Sequence, residues 1–206
     1  TPLAALKTQL QVALRTKDVV QAREMFRELL PAIDRMQHLV EQLLSFVRIK
    51  ADYNYEHRVD LVEVCQEVLR DVAPVAVRTQ RELVSELTAP AIVKGNAEML
   101  SVLVRNLLSN ALKYTTEGGH VHISLQSRAG DVELHVADDG IGIAEKDCCN
   151  IFESFYRVAG TDTDGCGLGL AIVKAVADMH HAKIALTEGL GGRGAGFTIT
   201  FPSFSA

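Results

Sequence analysis

The apolar residues of the first fifty positions recur at steps of three and four, which is the period of one face of an α-helix. A polar break at residues 15–18 divides this pattern into two sets. Two helices joined by a short connection predict an antiparallel hairpin, and we expect this hairpin to bury its apolar faces by dimerising into a four-helix bundle. The apolar positions are Leu3, Leu6, Leu10 and Leu14 in the first helix, and Phe26, Leu29, Leu30, Ile33, Met36, Val40, Leu43, Leu44 and Val47 in the second.

The remainder of the chain mixes helical and strand patterns. Residues 51–58 lose the periodicity and are interpreted as a linker between a hairpin at 1–50 and a second domain at 59–206. Residues 120–126 and 131–137 alternate apolar and polar side chains, as half-buried strands do. Because helices and strands do not alternate regularly, an α+β domain with a mixed, mostly antiparallel sheet is predicted. Further strands are expected near 82–87, 91–94, 183–188 and 196–201, and helices near 97–114, 145–152 and 168–180. Asp60 followed by Glu63 resembles a capping box that starts one more helix through Leu69, and Asn96 can cap the helix at 97–114.

Composition narrows the possible functions. Hydrophobic residues make up 48% of the 206 residues and charged residues 23%, which is typical of a globular chain. The net charge of −5 argues against nucleic acid as a partner, because phosphate backbones are bound by basic surfaces. The sequence contains no apolar stretch of about 18 residues, so no membrane-spanning helix is predicted. The spacing of the four cysteines fits neither a zinc site nor a disulfide framework.

Two asparagines, Asn106 and Asn110, lie four positions apart in a segment that the apolar pattern predicts to be a helix. This spacing places both amides on one face. Stacked carboxamide oxygens can ligate a hard cation such as Mg²⁺ and leave coordination sites for phosphate oxygens and water. Lys113 lies near the same face and can reach a phosphate. The simpler alternative is a helix cap or a polar surface stripe.

Three glycine-containing motifs follow. Residues 138–142 (DDGIG) come after a predicted strand, and a carboxylate there can accept a hydrogen bond from an amino group such as that of adenine. Residues 165–174 (GCGLGLAIVK) lead into an apolar helix whose first amides can bind phosphate. Residues 192–197 (GRGAGF) precede the last predicted strand. Taken singly, the first and third motifs are also compatible with ordinary turns.

The ordered set of motifs resembles the bacterial sensor histidine kinases, which share a wider fold with gyrase, the heat-shock 90 chaperones and MutL. Residues 106–115 (NLLSNALKYT) resemble that family's N box. Residues 138–143 resemble its first glycine box and residues 151–157 (IFESFYR) its phenylalanine box. Residues 165–174 and 192–197 resemble its second and third glycine boxes. The resemblance implies a Bergerat-type α/β sandwich that binds ATP and Mg²⁺.

The resemblance also implies roles for single residues. Asn106 and Asn110 would hold Mg²⁺, Asp138 would accept the adenine amino group, and Arg157 would meet the γ-phosphate. Asn106, Lys113 and Arg157 are therefore the expected catalytic residues, and residues 158–164 an expected lid. The other residues expected to line the nucleotide are Tyr114, Gly140, Gly142, Ile143, Phe155, Gly165, Gly167, Leu168, Gly169 and Leu170. The sequence departs from the family pattern at Asp139, where Asn is common, and at Cys166, where a small polar residue is common.

One position separates transfer from hydrolysis within the wider fold. By the same resemblance, the hydrolysing members carry a glutamate one helical turn before the metal-binding asparagine, where it activates water as a general base. Asn106 occupies that position here, and an amide is not a useful base. The resemblance therefore favours transfer to an imidazole, whose lone pair needs no strong base. A non-catalytic docking module and a gyrase-type ATPase remain the alternative interpretations.

The phosphoryl acceptor is expected before the printed sequence. Thr1-Pro2-Leu3 resembles the end of the family's His-Glu-Leu-Arg-Thr-Pro-Leu run, which implies a histidine four positions before Thr1. The chain by itself is accordingly expected to bind ATP without phosphorylating itself. The implied partners are a second copy of the chain and the receiver domain of a response regulator. The implied location is a cytoplasmic domain of a protein anchored in the bacterial inner membrane.

Five other histidines invite separate interpretations. His120, His122 and His135 alternate opposite the apolar face of their strands and are expected to be solvated, with a three-histidine metal site as the less favoured alternative. His180 and His181 end a predicted helix, where a positive charge would suit the helix dipole.

Overall fold

The computed structural model describes residues 57–87, 90–128, 130–158 and 167–202, together with Phe26, Arg27 and Leu29. The chain divides into two compact units, Thr1–Ser45 and Phe46–Ala206. In the first unit, the three described residues are helical, as the apolar pattern predicts for that segment. The remainder of the predicted hairpin lies outside the described residues, as do residues 51–56 of the predicted linker.

The second unit is built from seven strands and three α-helices within the described ranges. In chain order they are β1 (His57–Asp60), α1 (Leu61–Arg78), β2 (Glu82–Leu87), β3 (Ile92–Gly95), α2 (Ala97–Tyr114), β4 (His120–Arg128), β5 (Asp131–Asp138), α3 (Gly169–Met179), β6 (Lys183–Glu188) and β7 (Ala195–Pro202). Two short 3-10 helices cover Glu145–Asp147 and Leu190–Gly192. No helix in the described part of the chain is long and apolar enough to cross a bilayer.

Side-chain caps fix where the first two helices begin. The Oδ1 atom of Asp60 accepts a hydrogen bond from the backbone N–H of Val62 at 2.9 Å. The Oδ1 atom of Asn96 accepts one from the N–H of Met99 at 3.1 Å. Each bond satisfies one of the amide donors that a helix N-terminus leaves without an intrahelical partner. Both helix starts agree with the predicted caps.

The strands form two sheets. β1 pairs with β3 in an antiparallel ribbon, and the other five strands form a sheet in the order β2-β4-β5-β7-β6. β2 runs parallel to β4, whereas the remaining pairs of the large sheet are antiparallel. The predicted α+β class with a mixed, mostly antiparallel sheet is confirmed.

The core lies between the three helices and one face of the large sheet. The register of β4, β5 and β7 places apolar side chains side by side across the sheet, since Ile123 is opposite Val136 and Val136 is opposite Phe197. The inward faces of β4, β5 and β7 are buried at Val121, Ile123, Leu125, Val132, Leu134, Val136, Phe197, Ile199 and Phe201. They meet the apolar faces of α2 and α3, of which Leu100, Leu103, Leu107, Ile172, Val173 and Val176 are buried.

Two local features differ from the sequence-based expectation. His57 and Arg58, expected in a linker, belong to β1 because they pair with Gly95 and Lys94 of β3. Residues 145–152, expected as a short helix, form a 3-10 helix at Glu145–Asp147 followed by turns. The domain limits at residues 50 and 59 stay a prediction.

Candidate active site

The start of α3 lies against the two asparagines of α2. A side-chain carbon added at Gly169 would be 3.1 Å from Oδ1 of Asn106 and 3.5 Å from Nδ2 of Asn110. The Nδ2 atom of Asn106 donates to the carbonyl oxygen of Val102 at 2.8 Å, so the oxygen is the atom turned toward Gly169. The fold therefore joins two motifs that are separated by more than fifty residues of sequence.

Asp138, the last residue of β5, is buried, with 4% of its surface exposed. Its Oδ1 atom accepts hydrogen bonds from the N–H of Gly140 at 2.9 Å and from the N–H of Ala195 at 3.3 Å. Burial raises the pKa of the carboxyl, whereas these two backbone bonds oppose the rise. The arrangement fixes one carboxylate oxygen, and no described residue is seen to bond the other.

Glycines allow the chain to close around Asp138. A side-chain carbon at Gly140 would clash with the carbonyl oxygen of Tyr114, and one at Gly194 would clash with the carbonyl oxygen of Asp138. Gly142 has φ +70° and packs against the carbonyl of Gly194, which itself has φ +73°. This is the left-handed region that glycine adopts without a steric penalty. The first and third glycine boxes therefore meet at one carboxylate.

The phenylalanine box contacts the second glycine box. The backbone N–H of Phe155 donates to the carbonyl oxygen of Gly167 at 2.9 Å. A side-chain carbon at Gly167 would be 2.5 Å from the carbonyl oxygen of Tyr156, so the two peptides are in close contact. Phe155 has φ +68°, which is unusual for a bulky residue, and its side chain is 65% exposed.

Other predicted residues lie around this cluster. The ammonium group of Lys113 is 4.9 Å from the ring centroid of Tyr114, a cation–π contact at the end of α2. Arg157 is exposed. Leu168 is buried, and Ile143 and Leu170 pack partly buried against the core. Gly165 lies outside the described residues, as do Cys166 and most of the expected lid.

Asp139, which departs from the family pattern, pairs with a histidine. It accepts hydrogen bonds from the backbone N–H and from Nδ1 of His120, both at 2.8 Å. The hydrogen bond with Asp139 raises the pKa of His120. Although burial opposes it, the bonds with His120 lower the pKa of Asp139. The pair ties the start of β4 to the first glycine box.

The interpretations of the other histidines are partly corrected. His180 was expected to suit a helix end as a cation, but it is buried and its pKa is lowered, chiefly by burial. Its Nδ1 atom bonds the carbonyl oxygen of Val176 at 2.7 Å. His120 is exposed as expected, whereas His122 and His135 are half-buried. Among the described residues, no three His, Cys, Asp or Glu side chains are placed to hold a metal ion together.

Sequence reasoning missed several contributors to the site. The N–H of Ala195 that binds Asp138 belongs to β7, 57 residues later in the chain. The glycines on either side of Ala195 were the available signal, since they permit a close backbone approach. Asp147, which accepts a hydrogen bond from the phenol of Tyr156 at 2.6 Å, carried no comparable pattern, whereas Tyr156 lies in the phenylalanine box.

Family models match both parts of the chain. Residues 95–204 match the histidine kinase-, DNA gyrase B- and HSP90-like ATPase family. Residues 1–52 match the His Kinase A (phospho-acceptor) domain. The sensor protein kinase PmrB of Pseudomonas aeruginosa is 37% identical over 205 residues, which are 98% of this chain and 43% of that protein. The chain thus spans less than half the length of this curated relative.

Solved structures of histidine kinases share the fold. The Acinetobacter baumannii histidine kinase AdeS is 25% identical, with a TM-score of 0.77 covering 100% of this chain and 96% of that one. Full-length ShkA in complex with AMPPNP is 27% identical, with a TM-score of 0.74 covering 98% of this chain and 44% of that one.

With its sheet, its three helices and its converging glycine motifs, the second unit is an ATP-binding domain of the histidine kinase-, DNA gyrase B- and HSP90-like ATPase family. Because a phospho-acceptor match precedes it, the chain belongs to the bacterial two-component sensor histidine kinases.

Proposed function

We propose that this chain binds Mg²⁺-ATP between α2, α3 and the first glycine box, and that the intact protein transfers the γ-phosphoryl group to a histidine. The contact of Gly169 with Asn106 and Asn110 carries the proposal. It brings the first turn of α3, whose first amides have no acceptor within the helix and whose dipole end is positive, beside two carboxamides. Such a site suits a polyphosphate that is accompanied by a cation.

The adenine end of the nucleotide is assigned to Asp138. One carboxylate oxygen is held by the N–H groups of Gly140 and Ala195, and the other can accept the exocyclic amino group of adenine. Gly142, Ile143 and Tyr114 are proposed to line the base. A buried polar group that needs a donor discriminates strongly against ligands lacking one.

Mg²⁺ fits the donor set at the phosphate end. Asn106 and Asn110 would hold it, because hard cations prefer oxygen ligands and Mg²⁺ retains positions for water and phosphate oxygens. When bound, it would neutralise charge on the phosphate oxygens. Asn106 is tied to Val102 through its Nδ2, which supports a fixed orientation of the oxygen. Lys113 and Arg157 are proposed to contact phosphate oxygens, and Gly165, Gly167, Leu168, Gly169 and Leu170 to surround them.

Transfer to histidine is preferred to hydrolysis because the site has no carboxylate at position 106 to activate water. Catalysis would then rest on positioning and charge stabilisation. The acceptor is proposed to be the histidine that the sequence match implies before Thr1, presented by a phospho-acceptor hairpin in a dimer. Relay to an aspartate of a response regulator completes the proposal, which also includes anchoring of the parent protein in the inner membrane.

Nucleotide binding is tested by calorimetric titration of the 206-residue chain with a non-hydrolysable ATP analogue, with Mg²⁺ and with a chelator. Asn110→Ala is expected to weaken binding in Mg²⁺ about ten-fold, equivalent to about 1.4 kcal/mol. Ser109→Ala, an exposed change on the same helix, is the matched control and should bind as the unaltered chain does. Absence of binding by the folded, unaltered chain would refute the proposal.

Transfer is tested with labelled ATP in a longer protein that includes the preceding histidine. Acid-labile phosphate is expected on the protein, and Asn106→Ala should abolish it while ADP binding is retained in part. Steady release of inorganic phosphate without a phosphoprotein would instead identify a hydrolase.

A further inference from the structure

A buried carboxylate outside all of the motifs is hydrogen-bonded to a residue whose backbone contacts the second glycine box. Asp147 ends the 3-10 helix Glu145–Asp147 and has 6% of its surface exposed. Its Oδ1 atom accepts a hydrogen bond from the phenol of Tyr156 at 2.6 Å. Its Oδ2 atom is buried and has no hydrogen-bond partner in the part of the chain that the structure describes.

Burying Asp147 with one oxygen unbonded lowers the stability of the fold, so stability alone does not explain a carboxylate at this position. A buried carboxylate oxygen without a donor loses its hydration and gains nothing in return. A neutral amide at this position could accept the hydrogen bond from the phenol with a smaller desolvation penalty. The carboxylate adds a short, charge-assisted bond that holds the phenol more tightly than a neutral acceptor does. Consistent with this bond, Asp147 raises the pKa of the Tyr156 phenol.

The backbone of Tyr156 forms part of the wall behind the phosphate-binding glycines. Its carbonyl oxygen lies against the α-carbon of Gly167, at the position where any side chain would clash. Two residues further on, Gly169 contacts Asn106 and Asn110. A displacement of Tyr156 would therefore be transmitted to the start of α3.

Tyr156 also precedes Arg157 directly in sequence. Fixing the Tyr156 ring by its hydroxyl restricts the backbone from which the guanidinium extends. Phe155, on the other side, is held in a left-handed conformation and bonds Gly167 through its N–H. The phenol of Tyr156 is thus held by Asp147, and the neighbouring N–H of Phe155 by Gly167.

We propose that Asp147 is a positioning residue for the γ-phosphate: through Tyr156 it fixes the peptide that packs on Gly167 and the direction from which Arg157 reaches the nucleotide. The inference rests on the proposed function. The proposal predicts that loss of Asp147 weakens the binding of ATP more than that of ADP, because only a ligand with a γ-phosphate uses the contact that Arg157 supplies. A residue that merely supported the fold would affect all nucleotides alike.

The test compares the affinities of ADP and of a non-hydrolysable ATP analogue, both with Mg²⁺, for the 206-residue chain and its Asp147→Asn variant. This substitution keeps the shape and one acceptor oxygen but removes the charge. We expect the affinity for the ATP analogue to fall roughly ten-fold and the affinity for ADP to change less than about two-fold. The thermal unfolding midpoint should be unchanged or raised, because a buried charge has been removed.

Tyr156→Phe is the second variant and should reproduce the same selective loss. The double variant should lose little more than either single variant, because both changes remove the same hydrogen bond between Asp147 and Tyr156. Asp71→Asn, which alters an exposed carboxylate paired with Arg105 at 2.6 Å, is the matched control and should leave both affinities unchanged.

Equal weakening of both nucleotides, or no weakening of either, would overturn the assignment of Asp147 while leaving the proposed function intact. Failure of the unaltered chain to bind either nucleotide would remove the proposed function itself, and this inference with it.

Discussion

The Nε2 atom of His180 accepts a hydrogen bond from the backbone N–H of Asn96, 3.1 Å away and 84 residues earlier in the chain. Since Nε2 accepts this bond and Nδ1 bonds the carbonyl of Val176, the imidazole is held as the neutral Nδ1–H tautomer. Its ring also packs edge-on against Phe201. The residue that follows α3 thereby fixes the start of α2, the helix that carries both asparagines of the site.

This bond predicts a loss of stability in mild acid. The folded state lowers the pKa of His180, so the unfolded chain takes up a proton first as pH falls below about 6.5. The contribution of His180 is complete above the unfolded pKa and is lost as pH falls toward the folded pKa. Urea unfolding at pH 8.0 and 5.5 measures the free energy of unfolding, which should decline less between the two pH values for His180→Asn than for the unaltered chain. Equal declines would contradict the assignment.

The pair of Asp139 and His120 predicts the opposite pH response. Because the folded state raises the pKa of His120 and lowers that of Asp139, the pair stabilises fully only between the ordinary pKa of the carboxyl and that of the imidazole. Its contribution is lost as pH rises through the folded pKa of His120. An NMR titration of the imidazole should give a pKa above the ordinary histidine range. In Asp139→Asn, which restores the residue common in the family, the value should fall back. An unchanged titration would show that the carboxylate is not the cause.

Gly169→Ala separates stability from binding. At Gly169, the start of α3, the better helix propensity of alanine and its crowding of Asn106 oppose each other, so the free energy of unfolding should change by less than about 1 kcal/mol. The added methyl group would lie 3.1 Å from Oδ1 of Asn106 and crowd the proposed metal and phosphate site. Calorimetry should show at least about ten-fold weaker binding of the ATP analogue. Lys174→Ala, on the exposed face of the same helix, is the control and should leave affinity unaltered.

Asp138→Asn tests the recognition of adenine. The amide can still accept from Gly140 and Ala195 through its oxygen, but it then presents an NH₂ donor toward the donor on the base. Affinity for the ATP analogue should fall at least about ten-fold, with a small change in thermal stability. A triphosphate of a purine without the 6-amino group should bind the unaltered chain weakly and the variant about equally weakly. Equal affinity of the unaltered chain for both triphosphates would argue against this role of Asp138.

Much of the fold was predictable because its signals are local. The alternation at residues 120–126 and 131–137 predicted β4 and β5, and Asn96 predicted the start of α2 through the hydrogen bond that its side chain makes three residues away. The pairing of β1 with β3 was not predictable in this way. A four-residue strand has too little periodicity, and its stability comes from a partner 35 residues later.

Some residues of the candidate site were likewise predictable from local spacing, whereas others depend on contacts with distant parts of the chain. Asn106 and Asn110 could be assigned to one helix face from spacing, and the glycine motifs could be interpreted as close backbone approaches. The buried state of His180 could not be anticipated, since a histidine at a helix end is as compatible with solvent as with a core. Asp147 likewise resembles any acidic residue in a turn until its burial and its bond to Tyr156 are known.

The sequence by itself determined the class of the domain, the helix that carries the two asparagines and the order of the glycine motifs, because these depend on residue type and on spacing within one element. Tertiary structure alone decided which motifs meet: Gly169 with Asn106, Ala195 with Asp138, and Gly167 with Tyr156. Such contacts join residues distant along the chain, and they arise from the packing of helices on the sheet, which no local pattern encodes.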